Sequence, residues 1–211
     1  MTRTVASRSL LSPRWLRRLA GATADLVFPP ACAFCEEPSE PWEDGSHLCP
    51  LCVVGLGRKE IELCPRCAMP APREVVSDGK CPQCRNEKYA FTAIRSLGFY
   101  EKEVRQAVLK IKHEPWEHLA IACGRRLATV LAGESFPEPP DLVVPIPMHW
   151  FKRLFRGTSA AETLARSLAS AAKLPVATDL LRCRKYTQTQ SSLTGPERKQ
   201  NVKGAFAASQ L

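Results

Sequence analysis

The sequence predicts a small double zinc-ribbon module followed by an α/β domain built on a parallel sheet, and three observations carry that reading. Eight of the ten cysteines fall into four C-x2-C knuckles, Cys32/Cys35, Cys49/Cys52, Cys64/Cys67 and Cys81/Cys84, with thirteen residues between the first and second knuckle of each copy. The second copy repeats the first 32 residues later; Pro50 recurs as Pro82, and Gly45 is echoed in a looser register by Gly79. From about residue 91 this texture gives way to apolar runs alternating with helical periodicity, the pattern of parallel strands joined by helices.

A C-x-x-C turn sets two sulfurs side by side, and a second knuckle completes a tetrahedron. Four soft thiolates select zinc among the divalent ions. With all four ligands drawn from the protein there is no open position for water, so the two zinc ions are expected to be structural. The simplest pairing is sequential: Cys32, Cys35, Cys49 and Cys52 around one ion, Cys64, Cys67, Cys81 and Cys84 around the other. A cross-braced pairing of first knuckle with third is the alternative. Modules this small bury little apolar surface, so zinc should supply most of their folding free energy. Disulfides would need an oxidising compartment, and redox C-x-x-C chemistry does not call for four copies in register.

The formal net charge of +9 overstates the field. Eight ligand thiolates against two divalent ions remove four charges and leave about +5, a moderate surplus that suits phosphorylated or polyanionic partners. Residues 1–25 form a basic N-terminal arm or short helix: five arginines precede Asp25, the first acid, and interrupt the apolar core that a secretory signal needs. No run approaches the roughly 18 apolar residues of a membrane helix. A cytoplasmic location is the expectation.

The double zinc ribbon is bounded at 26–90 and the second domain at 91–211. Residues 91–100 read as extended. Val104, Ala107, Val108 and Ile111 keep helical spacing that should end before Pro115. A second helix is expected over Glu117–Ala132, with Leu119, Cys123, Leu127, Val130 and Leu131 inward. Leu142–Val144 is a short apolar run between breakers, as in a buried strand. A loop follows, and Ser159-x-x-Glu162 is a capping-box match opening a third helix with Ala161, Leu164, Ala165, Leu168 and Ala172 inward. A strand is expected around Val176–Leu181. Residues 182–203 carry six Lys/Arg and one acid, and a short apolar piece, Val202–Ala207, closes the sequence. Cys123 and Cys183 stand outside the repeat and default to buried free thiols.

The four knuckles, then Phe99-Tyr100, Lys110-Ile111-Lys112, Asp141-Leu-Val-Val-Pro-Ile-Pro-Met-His149, Arg153 with Arg156-Gly157, and Leu164-Ala165-Arg166 stand in an order that resembles the ComF family. So do Leu181-Arg-Cys-Arg184 with Thr187 and Gln190, and Arg198-Lys-Gln-Asn201-Val-Lys-Gly-Ala-Phe206. The resemblance runs from about residue 26 to the last residues. It implies an incomplete type I phosphoribosyltransferase-like parallel sheet behind the zinc module. It also implies an association with DNA uptake in natural competence, with single-stranded DNA and competence proteins as partners. In that picture the loop after Val144 approaches a pyrophosphate at the carboxyl end of a parallel strand. Lys110, Lys112, Arg153 and Arg156 then contact phosphate, and the 182–203 stretch resembles a closing loop with Arg198 and Asn201 as its most family-like polar members. Lys110 and Lys112 are equally well read as solvated helix-end charges, and His149 as a structural histidine.

Two departures qualify the resemblance. Where the family has Phe-Asn-Gln after Arg156-Gly157, this chain has Thr158, Ser159 and Ala160. The family also places two adjacent acids and a Thr-Thr-Gly-type loop, which hold ribose hydroxyls and a 5-phosphate, beyond the point where this sequence stops at Leu211. A shortened family member, inactive in phosphoribosyl transfer and with no catalytic residue of its own, is therefore expected. A PRPP-like ligand would bind only if that segment were supplied. The alternative function is a non-enzymatic zinc ribbon that engages single-stranded nucleic acid or a protein through its cations, Lys59 among them, and Trp42 or Trp116.

Overall fold

A computed structural model of the chain describes residues 29–40, 45–58, 61–134, 136 and 138–209. The basic arm read over 1–25, Trp42 and Lys59 lie outside the described residues. The two cysteine modules come first, and a mixed helical region with a small two-stranded sheet follows.

The 32-residue repeat is visible in the backbone. An antiparallel bridge joins Ala31 to Pro38 in the first copy and Leu63 to Pro70 in the second. Glu36 and its counterpart Ala68 both take left-handed conformations, at φ 64° and 57°. Gly79, at φ 70°, is matched in register by His47 at φ 54°, so Gly45 is not its structural counterpart. The copies differ at the second knuckle. In the first, Cys49 caps helix α1 (Pro50–Leu56), where Pro50 supplies a preset φ and has no N–H to leave unpaired. In the second, a 3-10 turn (Arg73–Val75) and a bridge from Ser77 to Lys80 lead into turns.

Helix α2 (Lys102–Lys110) and helix α3 (Glu117–Ala132) form where their apolar spacing predicts. The inward face of α3 is built from smaller residues than expected. Leu119, Ala120, Ala122, Cys123, Gly124 and Ala128 are buried, whereas Leu127, Val130 and Leu131 are half-buried. This face lets helix α5 (Ala160–Ala172) approach closely. A Cβ on Gly124 would sit 2.6 Å from the Leu164 carbonyl oxygen and 2.7 Å from the Ser167 Cβ, so only glycine fits. Ser167 Oγ donates to the Ile121 carbonyl at 2.7 Å across the same contact. On α5 the buried positions are Ala165, Leu168 and Ala169; Ala161 and Ala172 are exposed, contrary to the sequence pattern.

Three other expectations change. The parallel pairing of 142–144 with the 176 region exists as a single bridge, Val143 with Val176, held by Val143 N–H to Pro175 O at 2.9 Å and Ala177 N–H to Val143 O at 3.0 Å. Prolines 140, 145, 147 and 175 flank it and supply no amide hydrogen, so the ladder cannot lengthen along these segments. Residues 91–100 form no strand; they dock on the second cysteine module through Ile94 N–H to Arg66 O at 2.8 Å. The segment read as a loop before Ser159 contains helix α4 (Trp150–Arg156).

The Ser159 side chain makes no capping bond to α5, because Glu162 is drawn instead to Arg153 and Arg166. The capping box forms at helix α6 (Gly195–Val202), where Glu197 accepts from Thr194 N–H at 2.7 Å. Strands β1 (Leu181–Cys183) and β2 (Phe206–Ala208) pair antiparallel, with Leu181 opposite Ala208 and Cys183 opposite Phe206. The 182–203 stretch is thus an ordered excursion between two paired strands.

The main core is shared between the first cysteine module and the helices. Phe34, Leu48, Val53 and Leu56 bury against Ala107 of α2 and Leu119, Ala122 and Cys123 of α3. The second module has a minimal core of its own, Ala71 and the cysteines with Val76 beside them.

Candidate zinc centres and a phosphate cavity

In each copy the first knuckle is a tight turn whose backbone N–H groups point at the first sulfur. Cys32 N–H donates to Glu37 O at 2.8 Å and Glu36 N–H to Cys32 O at 2.9 Å. In the second copy Cys64 N–H to Met69 O and Ala68 N–H to Cys64 O are both 2.9 Å. The sulfurs gather as Cys32, Cys35, Cys49 and Cys52 in one cluster and Cys64, Cys67, Cys81 and Cys84 in the other, all within 4.8 Å of one another. The pairing is therefore sequential.

The clusters fit zinc on geometry. Zn–S bonds of about 2.3 Å in a regular tetrahedron separate the sulfurs by about 3.8 Å. Cys35 and Cys49 stand 3.8 Å apart, Cys64 and Cys84 3.7 Å, Cys67 and Cys81 3.6 Å. These spacings are far too long for disulfides, and all ten cysteines are free. One thiol in each copy is primed for ionisation. Burial opposes it, but hydrogen bonds from the backbone of Cys35, Cys49 and Phe34 prevail and bring Cys32 down to about 6. Cys64 falls to about 6 in the same way, against burial, through the backbone of Cys67, Arg66 and Cys81. Burial and neighbouring sulfurs push Cys67 up to about 12, and raise Cys52 as well. A divalent ion removes that opposition, since its positive charge offsets the repulsion between neighbouring thiolates. Two structural zinc ions complete these modules.

A cavity of about 410 Å³ opens where the chain leaves the Val143–Val176 bridge. Its wall carries Ile146–Met148, then Lys112, Lys152 and Arg156, then Thr158 and Ser159 at the start of α5. Among the described residues no carboxylate lines it, although Glu114 lies against Gly157 beside Arg156 and Glu162 stands in the first turn of α5. Three cations and the positive end of a 13-residue helix make this an anion-attracting concavity.

Residues 23–87 match the double zinc ribbon domain family. The chain is 24% identical over 130 residues to competence protein F of Haemophilus influenzae, an alignment covering 60% of this chain and 57% of that protein. It is 27% and 26% identical over 185 residues to the DNA utilization proteins YhgH of Salmonella typhi and Salmonella typhimurium, covering 86% of this chain and 78% of each relative. The double zinc ribbon and these relatives support a ComF family assignment. The chain spans a little over half the length of competence protein F, and no solved structure matches it.

The residues singled out for phosphate do not converge as a set. Lys112 and Arg156 reach the cavity wall. Lys110 lies elsewhere: its Nζ donates to the Phe34 carbonyl at 2.9 Å and sits 4.0 Å from the Trp116 ring centroid. Arg153 pairs with Glu162 at 3.0 Å. Arg198 donates to the Gln190 and Leu193 carbonyls, both at 2.9 Å. Asn201 accepts from Gln188 N–H at 3.0 Å and donates to Gln188 O at 3.1 Å. The last two therefore brace the 187–194 loop from within.

One cation of the cavity was not anticipated. Lys152 lies one turn before Arg156 on α4 and donates to Thr187 O at 2.7 Å, and Thr187 itself lines the wall. The signal for α4 was present, since Phe151 and Phe155 stand four apart and His149 can cap the helix. His149 Nδ1 does accept from Phe151 N–H at 3.3 Å, a structural role. Burial raises Cys123 to about 11, which leaves an inert thiol. Cys183 is half-buried, on the cavity wall. No helix among the described residues is long and apolar enough to cross a membrane.

Proposed function

We propose that this ComF-like chain serves DNA uptake as a zinc-scaffolded protein whose cavity between α4 and α5 holds the pyrophosphate end of a PRPP-class ligand, in departure from the expectation that such a ligand needs the further segment. The names of the relatives, competence protein F and DNA utilization protein, support the cellular role. The observation that carries the ligand class is the acid-free wall on which Lys112, Lys152 and Arg156 face the N-terminus of α5. Pyrophosphate oxygens need that concentration of donors, Arg156 offering two parallel N–H groups and the lysines point charges. The single parallel bridge beneath the Ile146–Met148 wall supports the phosphoribosyltransferase-like reading, because open α/β folds bind ligands just beyond such strand ends.

Among the described residues of the wall no carboxylate stands ready to grip ribose hydroxyls, which favours binding over transfer as the role proposed for this chain. Calorimetric titration of the zinc-loaded chain should show saturable pyrophosphate binding, weakened about tenfold or more by Arg156→Ala or Lys112→Ala. No pyrophosphate should be released from PRPP. Heat-neutral titration with both pyrophosphate and PRPP would sink the ligand assignment. For the cellular role, deleting the gene in a naturally transformable host should reduce transformation, and unchanged transformation would refute it.

A further inference from the structure

Between the second cysteine module and the end of α3 lies a cavity of about 310 Å³. The module contributes Leu63 and Pro65 with the zinc ligand Cys64, and the body of the protein contributes Ile94 and Glu134. Arg58 and Ile61, on the chain joining the two modules, also line it. Ile61 is 46% exposed and Ile94 39%, so part of the wall is apolar surface that a bound molecule would take out of water.

Arg58 and Arg95 share the carboxylate of Glu134. Arg95 directs its Nη1 to the carbonyls of Pro65 and Ile94, at 2.7 Å and 2.9 Å. Arg58 donates from Nε to the Ser96 carbonyl at 2.6 Å and from Nη1 to Glu134. Its remaining nitrogen, Nη2, is buried and has no acceptor among the described residues. A buried guanidinium N–H without an acceptor is costly, and native structures seldom leave one. A bound water would satisfy the nitrogen but leave the isoleucines wet. A molecule with one anionic group and a short apolar chain does both.

We propose that this cavity binds a short-chain aliphatic carboxylate, with an oxygen on Arg58 Nη2 and the chain against Ile61, Leu63 and Ile94. One unsatisfied donor suits a monoanion; a phosphate would need the several cations that the cavity between α4 and α5 gathers. The volume stands at the small end of ligand cavities, which excludes long acyl chains and fused rings. Such a ligand touches the module and the helices at once. Because the second module has little core of its own, occupancy fastens it to the body by mass action and slows zinc loss from Cys64, Cys67, Cys81 and Cys84. The site shares no residue with the phosphate cavity, and the proposal does not rest on the role in DNA uptake.

Ligand-observed NMR on the zinc-loaded chain tests this with butyrate, acetate and butanol. Butyrate should bind saturably. Acetate, without the chain, and butanol, without the charge, should bind about tenfold or more weakly. Arg58→Lys keeps a cation for Glu134 but removes Nη2, and should weaken butyrate binding about tenfold. Ile94→Ser should erase most of the advantage of butyrate over acetate. Both variants should hold two zinc ions and titrate pyrophosphate as the parent does. Saturating butyrate should also slow chelator-driven zinc release from the second cluster several-fold, with the first cluster unchanged. Absence of saturable butyrate binding overturns the proposal, as does parent-like butyrate affinity in Ile94→Ser. Equal binding of butyrate and acetate overturns it too, leaving an adventitious ion on Arg58. Butyrate binding without slower zinc release overturns the fastening role. If Arg58→Lys sheds zinc, Ile94→Ser decides alone.

Discussion

The ammonium of Lys110 lies between the carbonyl of Phe34 and the ring of Trp116, at 2.9 Å and 4.0 Å, with the Phe34 ring centroid 5.0 Å away. It thereby ties the end of α2 to the first zinc knuckle, because Phe34 sits between Cys32 and Cys35. Its neighbour Lys112, two residues on, faces the cavity instead. The pair looked equivalent in sequence, but Lys110 closes α2 while Lys112 lies past the C-cap Ile111, in the turn that follows. Lys110→Met should cost about 1–2 kcal/mol of stability, through the lost charged hydrogen bond and cation–π contact, and leave pyrophosphate affinity as it was. Chemical denaturation paired with calorimetry checks both halves, and a fall in affinity without a fall in stability would return Lys110 to the ligand site.

At the scale of elements, two modules alike in sequence are unlike in what supports them. The first lends Phe34, Leu48, Val53 and Leu56 to the main core. The second has little beyond Ala71, Val76 and its own sulfurs, so zinc supplies nearly all of its folding free energy. Cys67→Ser should therefore lower zinc stoichiometry from two to one and melt residues 62–86, while the main thermal transition persists. Cys52→Ser, within the shared core, should lower that transition itself. Zinc analysis with differential scanning calorimetry distinguishes them, and equal effects from the two substitutions would refute the asymmetry. The cysteine register, the zinc sites, α2, α3 and α5 could all be read from spacing, because soft ligands and amphipathic periodicity are local signals. The parallel sheet could not, because Pro140, Pro145, Pro147 and Pro175 limit ladder length in a way that apolar runs do not reveal. Nor could the roles of Arg198 and Asn201, whose partners are carbonyls and amides that any sequence would offer.

For the molecule as a whole, one carboxylate among the described residues helps tie the second module to the helices. Glu134, just past α3, takes both Arg58 and Arg95, and Arg95 also donates to the Pro65 carbonyl at 2.7 Å. All three side chains are largely buried, so Glu134→Gln leaves two guanidinium groups without their counter-charge. That should cost about 2–3 kcal/mol and speed zinc loss from the second cluster several-fold, with the first cluster little affected. Competition with a chromogenic chelator reads the two release phases, and unchanged release would show that the module does not depend on this anchor.

The shared core also sets an order of events in synthesis. Phe34 and Leu48 leave the ribosome well before Leu119 and Ala122, the side chains that will cover them, so the first module must pass through a stage with its apolar face uncovered. Over that interval four thiolates around one ion are what hold its shape. A cell short of zinc during translation would therefore be expected to lose this protein to aggregation of nascent chains, before any finished molecule could be stripped of its metal.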